Sequence, residues 1–330
     1  MDTDAAAAAA IVLAAGFGSA ILTAAARRWL GRRAILDQPG ARSSHVTPVP
    51  RGAGLPVITA LAAAWIALAA LGMAPPETVV IALAAFALAL VSFVDDLRSL
   101  PAAVRLLAHV AAVIVALGFF PADARVFQGL LPLPLDRVAA ALLWVWFVNL
   151  YNFMDGIDGI TGVETACLGF GIVAVSLFAG HGAAPAALVA AAVALGFLRF
   201  NWQPATVFLG DSGSVPLGYA MGWLLLVLAR DGLWAPALIL PLYYLADATV
   251  TLARRAARGE TLWRAHRDHF YQRALRGNDH AAVVRLVLAA NVGLGALALL
   301  SLEWPLAAVG LAVLLGAAML AVFARRGAVR

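Results

Sequence analysis

Apolar residues run through this chain in blocks of roughly 17 to 22 residues, separated by short polar stretches. At a rise of 1.5 Å per residue, blocks of that length cross a bilayer as helices. Eleven such spans are predicted: 5–26, 55–72, 77–94, 102–120, 136–152, 160–180, 183–199, 213–229, 233–252, 282–301 and 305–324. The polar residues between them are unevenly shared. Three connections are long or rich in polar groups, 31–54, 199–214 and 254–280, and all three fall on the same side of the predicted bundle. On the other side "GMAPPE", "HGAAP" and "RDGLW" are short; only "PADARVFQGLLPLPLDR" is longer, with room for a small hairpin or turn.

Composition excludes a soluble globule. With 63% hydrophobic and 12% charged residues and a mean hydropathy of +0.91, the chain has too little polar surface to cover itself in water. The expected fold class is an all-α integral membrane protein, a polytopic bundle of about 11 transmembrane helices. Residues 1–330 read as a single membrane domain, with cytoplasmic loops 27–54, 95–101, 152–160, 199–213 and 253–281. Arginine sets this orientation. Arg27, Arg28, Arg32, Arg33, Arg42, Arg51, Arg98, Arg199, the set from Arg254 to Arg276, and Arg325, Arg326 and Arg330 fall on one side, leaving Arg125, Arg137 and Arg230 on the other. An N-terminus outside and the polar loops in the cytoplasm are the orientation this predicts. The start "MDTDAAAAAA" lacks a positive n-region, so the first block reads as a span and not as a signal peptide. The net charge of +5 is distributed as anchors for anionic membrane lipids, and nucleic acid is not an expected partner. Cys167, the single cysteine, lies inside a span and excludes an internal disulfide.

Candidate chemistry lies at the ends of the spans. Asp95 and Asp96 close the third in "FVDDLRSL", Asp155 and Asp158 close the fifth, and Asp211 in "FLGDSGS" opens the eighth. All five map to one membrane face, where clustered carboxylates repel unless a cation or protons compensate. With oxygen donors and no cysteine at hand, that cation is expected to be Mg²⁺, with Mn²⁺ as the substitute. The bland alternative, acids that cap helices and pair with loop arginines, fits any one of them better than it fits the set.

In "NLYNFMDGIDGITG" the polar residues Asn149, Asn152, Asp155 and Asp158 recur every three positions. A step of three turns a helix by 300°, so over three steps the stripe drifts to the opposite side. The four cannot share one line unless the helix breaks, and Gly156 and Gly159 are suited to break it beside a polar cavity. Gly210, Gly213 and Gly218 around Asp211 suggest a second wall, with a helix N-terminus that favours negative charge.

Taken together, "DQPGARSSHVTPVPRGAG", "FVDDLRSL", "NLYNFMDGIDGITG", "FNWQPATVFLGDSGSVPLG" and "HRDHFYQRA" resemble the polyprenyl-phosphate N-acetylhexosamine-1-phosphate transferase superfamily, glycosyltransferase family 4. The similarity runs from about residue 31 to 280 and leans toward the bacterial branch that starts O-antigen or related surface glycans. The phospho-MurNAc-pentapeptide transferase branch usually carries adjacent histidines in the last loop, whereas Arg267 and Asp268 separate His266 from His269. The resemblance implies transfer of a sugar 1-phosphate from a UDP-N-acetylamino sugar to undecaprenyl phosphate, with UMP released. It further implies Asp211 and Asn152 as Mg²⁺ ligands, Asp95 and Asp96 beside the acceptor phosphate, and Asp155 as a catalytic carboxylate, here with direct attack favoured over a covalent relay. Phe208, Asp158 and Gly156 correspond to nucleotide contacts, Arg105 to a phosphate contact, and His266, Arg267 and His269 to a loop over the pyrophosphate. His45 and Arg51 in the first loop line the same site. A homo-oligomer is compatible with all of this.

Two helical turns over 266–273 would set His266, His269 and Arg273 on one face, turned either toward the acids or toward lipid. A transporter would instead place its ionisable groups near the midplane, between repeated half-helices. A non-catalytic scaffold would have no need of five acids at one face.

Overall fold

The computed structural model describes residues 2–39, 47–261, 266–275 and 279–328. Thirteen helices are found among them: α1 (Asp2–Arg32), α2 (Gly54–Ala70), α3 (Glu77–Arg98), α4 (Ala102–Leu117), α5 (Leu133–Phe153), α6 (Ile160–Ala179), α7 (Ala184–Asn201), α8 (Asp211–Arg230), α9 (Trp234–Ile239), α10 (Leu242–Ala257), α11 (Phe270–Arg273), α12 (His280–Leu300) and α13 (Pro305–Ala328). Eight are long and apolar enough to cross a membrane, and α2 and α4 are shorter apolar helices. Each predicted span finds its helix, with two corrections. The ninth is split into α9 and α10, because Pro241 lacks the N–H that a continuous helix needs and its ring crowds the preceding turn. The first helix runs on through Arg27, Arg28 and Arg32, residues expected in a loop; Arg27 lies over the ring of Phe200, 5.6 Å from its centroid.

Helix α8 is the axis of the bundle. Apart from Val227 it is buried from Ser212 to Ala229, and α2, α3, α5, α6 and α9 surround it. Close packing depends on small residues against large rings. Trp144 of α5 stacks on Tyr219 at 4.8 Å and donates its Nε1–H to the Tyr219 carbonyl at 3.0 Å. The outer helices expose Phe17, Leu107, Leu142, Leu177, Phe178 and Leu306, an apolar surface of the kind that lipid covers.

A small β element interrupts the otherwise helical fold. Strands β1 (Leu36–Asp37) and β2 (Val49–Pro50) pair antiparallel, and the chain after β2 bridges to Phe208. Phe208 donates its N–H to Pro50 O at 2.8 Å, and Gly54 donates to Leu209 O at 2.8 Å. The start of α2 is thereby tied to the start of α8, where Gly54 and Gly213 meet backbone to backbone with no room for a Cβ on either.

Candidate active site

The ends of α3, α5 and α8 converge on Asp211. Its backbone N–H and that of Ser212 both donate to the carboxylate of Asp96, at 3.1 Å each. Asp96 therefore caps α8 from another helix, supplying the acceptor that the N-terminal glycine lacks. Gly210, at φ +74°, makes this possible, since a Cβ there would overlap the Asp96 carboxylate. The adjacent Asp95 points elsewhere: its Oδ1 accepts from Leu100 N at 2.6 Å and its Oδ2 from Arg105 Nη1 at 3.2 Å.

Two arginines hold the acids together. Arg51 Nη2 lies 2.8 Å from Asp211 Oδ1 and 2.9 Å from Asp96 Oδ1, with Asp37 3.9 Å from its Nη1. Burial works against the Arg51 charge, but Asp96, Asp211 and Asp37 hold its pKa above the ordinary value. Arg105 reaches Asp211 Oδ2 at 3.8 Å as well as Asp95.

The polar stripe of α5 divides as helical drift requires. Asn149 bonds back to Val145 O in its own helix at 2.7 Å. Asn152 faces α8, donating to Asp211 Oδ2 at 3.3 Å while its Oδ1 accepts from Ser214 Oγ at 3.0 Å. The helix stops after Phe153, and Asp155 accepts from Thr161 Oγ1 at 2.6 Å. Burial pushes the Asp155 carboxyl up to about 7; the Thr161 bond and Arg51 oppose the rise, and the charges of Asp211 and Asp96 add to it. Asp158 turns away from this group. Its Oδ1 lies 3.1 Å from His280 Nδ1 and its Oδ2 accepts from Ala205 N at 3.0 Å, so it ties α6 to the 202–209 segment and to α12. The space beside Gly156 is filled by the Tyr271 hydroxyl, which donates to Phe153 O at 3.0 Å. Phe208 takes part through its backbone, and its side chain is partly exposed.

The last polar loop has two sides. Residues 266–268 are not helical and α11 covers only Phe270–Arg273, so the two turns expected over 266–273 do not form. His266 and His269 do share a face, with rings stacked at 5.0 Å, and His269 lies near Phe153 at the end of α5. Arg273 and Arg267 line a different surface, shared with Arg254 and Arg258. Burial, then His269 and Arg255, push the His266 imidazole down to about 4, so it is neutral at pH 7. His45 lies outside the described residues.

Sequence reasoning missed the residue that holds this loop in place. Asp247, fully buried in α10, accepts from Phe270 N at 2.9 Å, Tyr271 N at 3.0 Å and Tyr243 Oη at 3.2 Å, with His269 Nδ1 3.3 Å away. It also missed Glu164, buried in α6, which accepts from Asn291 Nδ2 of α12 at 2.6 Å. A lone acid within an apolar block was the available signal for both.

The donor set around Asp211 suits Mg²⁺. Asp211 and the Asn152 amide beside it offer hard oxygens only, and Arg51 between Asp211 and Asp96 marks where positive charge is stabilised. Among the described residues no group of three or more His, Cys, Asp or Glu is placed to hold a metal ion by itself. Mg²⁺ at phosphate-transfer sites is typically held by one or two carboxylates together with substrate oxygens, so an open set is the fitting one.

Comparison with known proteins covers the same elements. Residues 78–229, from α3 to α8, match the family model described as glycosyl transferase family 4. A probable undecaprenyl-phosphate N-acetylglucosaminyl 1-phosphate transferase of Bacillus subtilis is 28% identical over 284 residues, covering 81% of this chain and 77% of that protein. A decaprenyl-phosphate N-acetylglucosaminephosphotransferase of Mycolicibacterium smegmatis is 29% identical over 320 residues, covering 82% and 77%. A phospho-N-acetylmuramoyl-pentapeptide-transferase of Moorella thermoacetica is 42% identical over 101 residues, covering 30% and 31%.

Proposed function

We propose that the chain is a member of the polyprenyl-phosphate N-acetylhexosamine-1-phosphate transferase superfamily and moves a sugar 1-phosphate from a UDP-N-acetylamino sugar to undecaprenyl phosphate, a reading supported by its similarity to glycosyl transferase family 4 and to the relatives above. The product is an undecaprenyl-diphospho-sugar that opens synthesis of an O-antigen or a related surface polysaccharide. The observation that carries this reading is the convergence of Asp95, Asp96, Asn152 and Asp211 with Arg51 and Arg105 at one end of the bundle. The relatives aligned over more than three quarters of their length bear N-acetylglucosamine phosphotransferase names, which favours a simple N-acetylhexosamine over the N-acetylmuramoyl-pentapeptide.

In this reading an oxygen of the lipid phosphate forms a bond to the β-phosphorus of the donor. The bond from that phosphorus to the bridging oxygen breaks, and UMP leaves with the oxygen. Both reactants are anions, so the site must bring negative charges together before any bond changes. Arg51 and Arg105 lie where they can screen the incoming phosphates, and the fixed N-terminus of α8 presents its dipole to them. Asp211 with Asn152 would hold Mg²⁺, which when bound supplies Lewis-acid stabilisation of the leaving phosphate. Asp155, with a pKa near neutrality, can take up a proton that an incompletely ionised acceptor phosphate still carries. Asp96 acts by position, since its carboxylate sets the direction of α8 and of Arg51.

An apolar cleft of about 210 Å³ lies between α5, α8, α9 and α10 and extends away from the acids to Ala229 and Val126 at the other end of the bundle. It is lined by Trp144, Phe147, Leu225 and Leu245, among others, and Phe147 lies about one and a half turns from Asn152. The direct test incubates purified protein with Mg²⁺, undecaprenyl phosphate and a panel of UDP-sugars, scoring lipid-linked product and UMP. Absence of both with every UDP-sugar, from folded protein, would reject the reading.

A further inference from the structure

The outward side of the last polar loop encloses a second, strongly basic pocket. It measures about 310 Å³ and is lined by Arg254, Arg258, Arg267 and Arg273, with Thr251 and Phe270 deeper in and Asp268 at the wall. Arg255 is buried behind it and pairs with Asp268 and with Glu260, the latter at 2.8 Å; Arg258 also contacts Glu260, at 2.9 Å. Among the described lining residues Arg254, Arg258 and Arg273 face a single carboxylate, Asp268, so positive charge is in excess around the cavity. Mutual repulsion of that kind is relieved most simply by a bound anion. Arg254 is set in place over the Phe270 ring, 4.8 Å from its centroid.

Depth points to the source of the anion. The pocket begins at Thr251, two turns or about 10 Å before Arg258 at the end of α10. The end of α13, a helix long and apolar enough to cross a membrane, packs at Gly327 against the Arg273 backbone, so the pocket stands at the level where that span ends. We propose that this pocket binds a phosphate-bearing anion at the membrane interface, foremost the headgroup phosphate of an anionic lipid. The site is separate from the acids: His266 and His269 occupy the inner side of the loop, and the arginines its outer side.

The test reads binding and does not depend on turnover. Full-length protein in neutral detergent is titrated with dioctanoyl phosphatidylglycerol, dioctanoyl phosphatidylcholine or inorganic phosphate, and bound molecules are counted by native mass spectrometry. We expect phosphatidylglycerol to bind about tenfold or more tightly than phosphatidylcholine, and the Arg254→Gln/Arg258→Gln double variant to lose most of that preference. Inorganic phosphate binding as tightly as the lipid, and lost in the same variant, would support the site with a solution anion as its occupant. Equal binding of the two lipids, or a preference unchanged by the variant, would overturn the proposal. Should the double variant fail to fold, Arg258→Gln alone serves, because that side chain is largely exposed.

Discussion

Arg51 donates to Asp211 across 2.8 Å, joining the strand segment before α2 to the first residue of α8 over 160 positions of sequence. The same nitrogen reaches Asp96 at 2.9 Å, so one guanidinium balances two carboxylates. Removing one partner of such a group leaves charge without compensation, and the loss exceeds what the pair itself contributes. Because Arg51 is about one-third exposed, the effect is screened in part.

For Arg51→Gln we therefore expect a moderate loss of stability, on the order of 1 to 2 kcal/mol, and a fall in turnover of about tenfold or more. Added Mg²⁺ should raise the melting temperature of this variant more than that of the wild type, since a cation can replace the lost charge. A melting temperature equally insensitive to Mg²⁺ in both proteins would separate Arg51 from the metal-binding acids.

Asp211→Asn should nearly abolish turnover, by on the order of a hundredfold or more, if its charge stabilises the transition state. The amide retains an acceptor for Arg51, so the fold should persist. Folded Asp211→Asn protein with near-native rates and an unchanged Mg²⁺ requirement would remove this residue from the metal site.

Asp155 gives a dependence on pH. Its folded pKa of about 7 lies above the ordinary carboxyl value of 3.8, so the folded state favours the protonated form. The stability linked to that preference is full below about pH 4 and is lost as pH rises to about 7, after which it stays lost. Asp155→Asn removes the titration, so wild type should lose stability relative to the variant across this window. If the carboxylate accepts a proton during turnover, wild-type kcat/KM should climb toward neutrality, and the climb should be absent from Asp155→Asn. Parallel pH profiles for the two proteins, in rate and in melting temperature, would assign the titration to another group.

Much of this site could be read in the sequence because its acids sit where apolar blocks end. Asp95, Asp96, Asp155 and Asp211 stand at helix termini, and a terminus beside a polar loop is visible as a change in composition. Pairing was hidden. Nothing local couples Arg51 to Asp211, or marks Asp158 as the partner of His280. Gly156 was legible as a residue needing space, but not that Tyr271 would fill it. Asp247 escaped for a different reason: it serves a loop about twenty residues later, and a buried acid in "YYLADAT" has meaning only once the N–H groups of Phe270 and Tyr271 are above it.

The inner face of the last loop yields the remaining prediction. His266 and His269 are stacked together beside Phe153, and Asp247 fixes His269 while capping α11. With its pKa depressed to about 4, His266 enters the site neutral, so it can donate or accept a hydrogen bond but does not by itself cancel charge. A bound pyrophosphate would shift that balance by stabilising the imidazolium, and binding would then take up a proton. We expect His266→Ala and His269→Ala each to lower turnover about tenfold or more, the equivalent of one lost polar contact of roughly 1.4 kcal/mol. The loss should be the same in anionic nanodiscs and in neutral detergent, because neither ring faces the basic pocket. Calorimetry of UDP-sugar binding in buffers of different ionisation enthalpy should register proton uptake in wild type and less in His266→Ala. A defect confined to anionic membranes, with equal proton uptake in both proteins, would place these histidines on the lipid side of the loop.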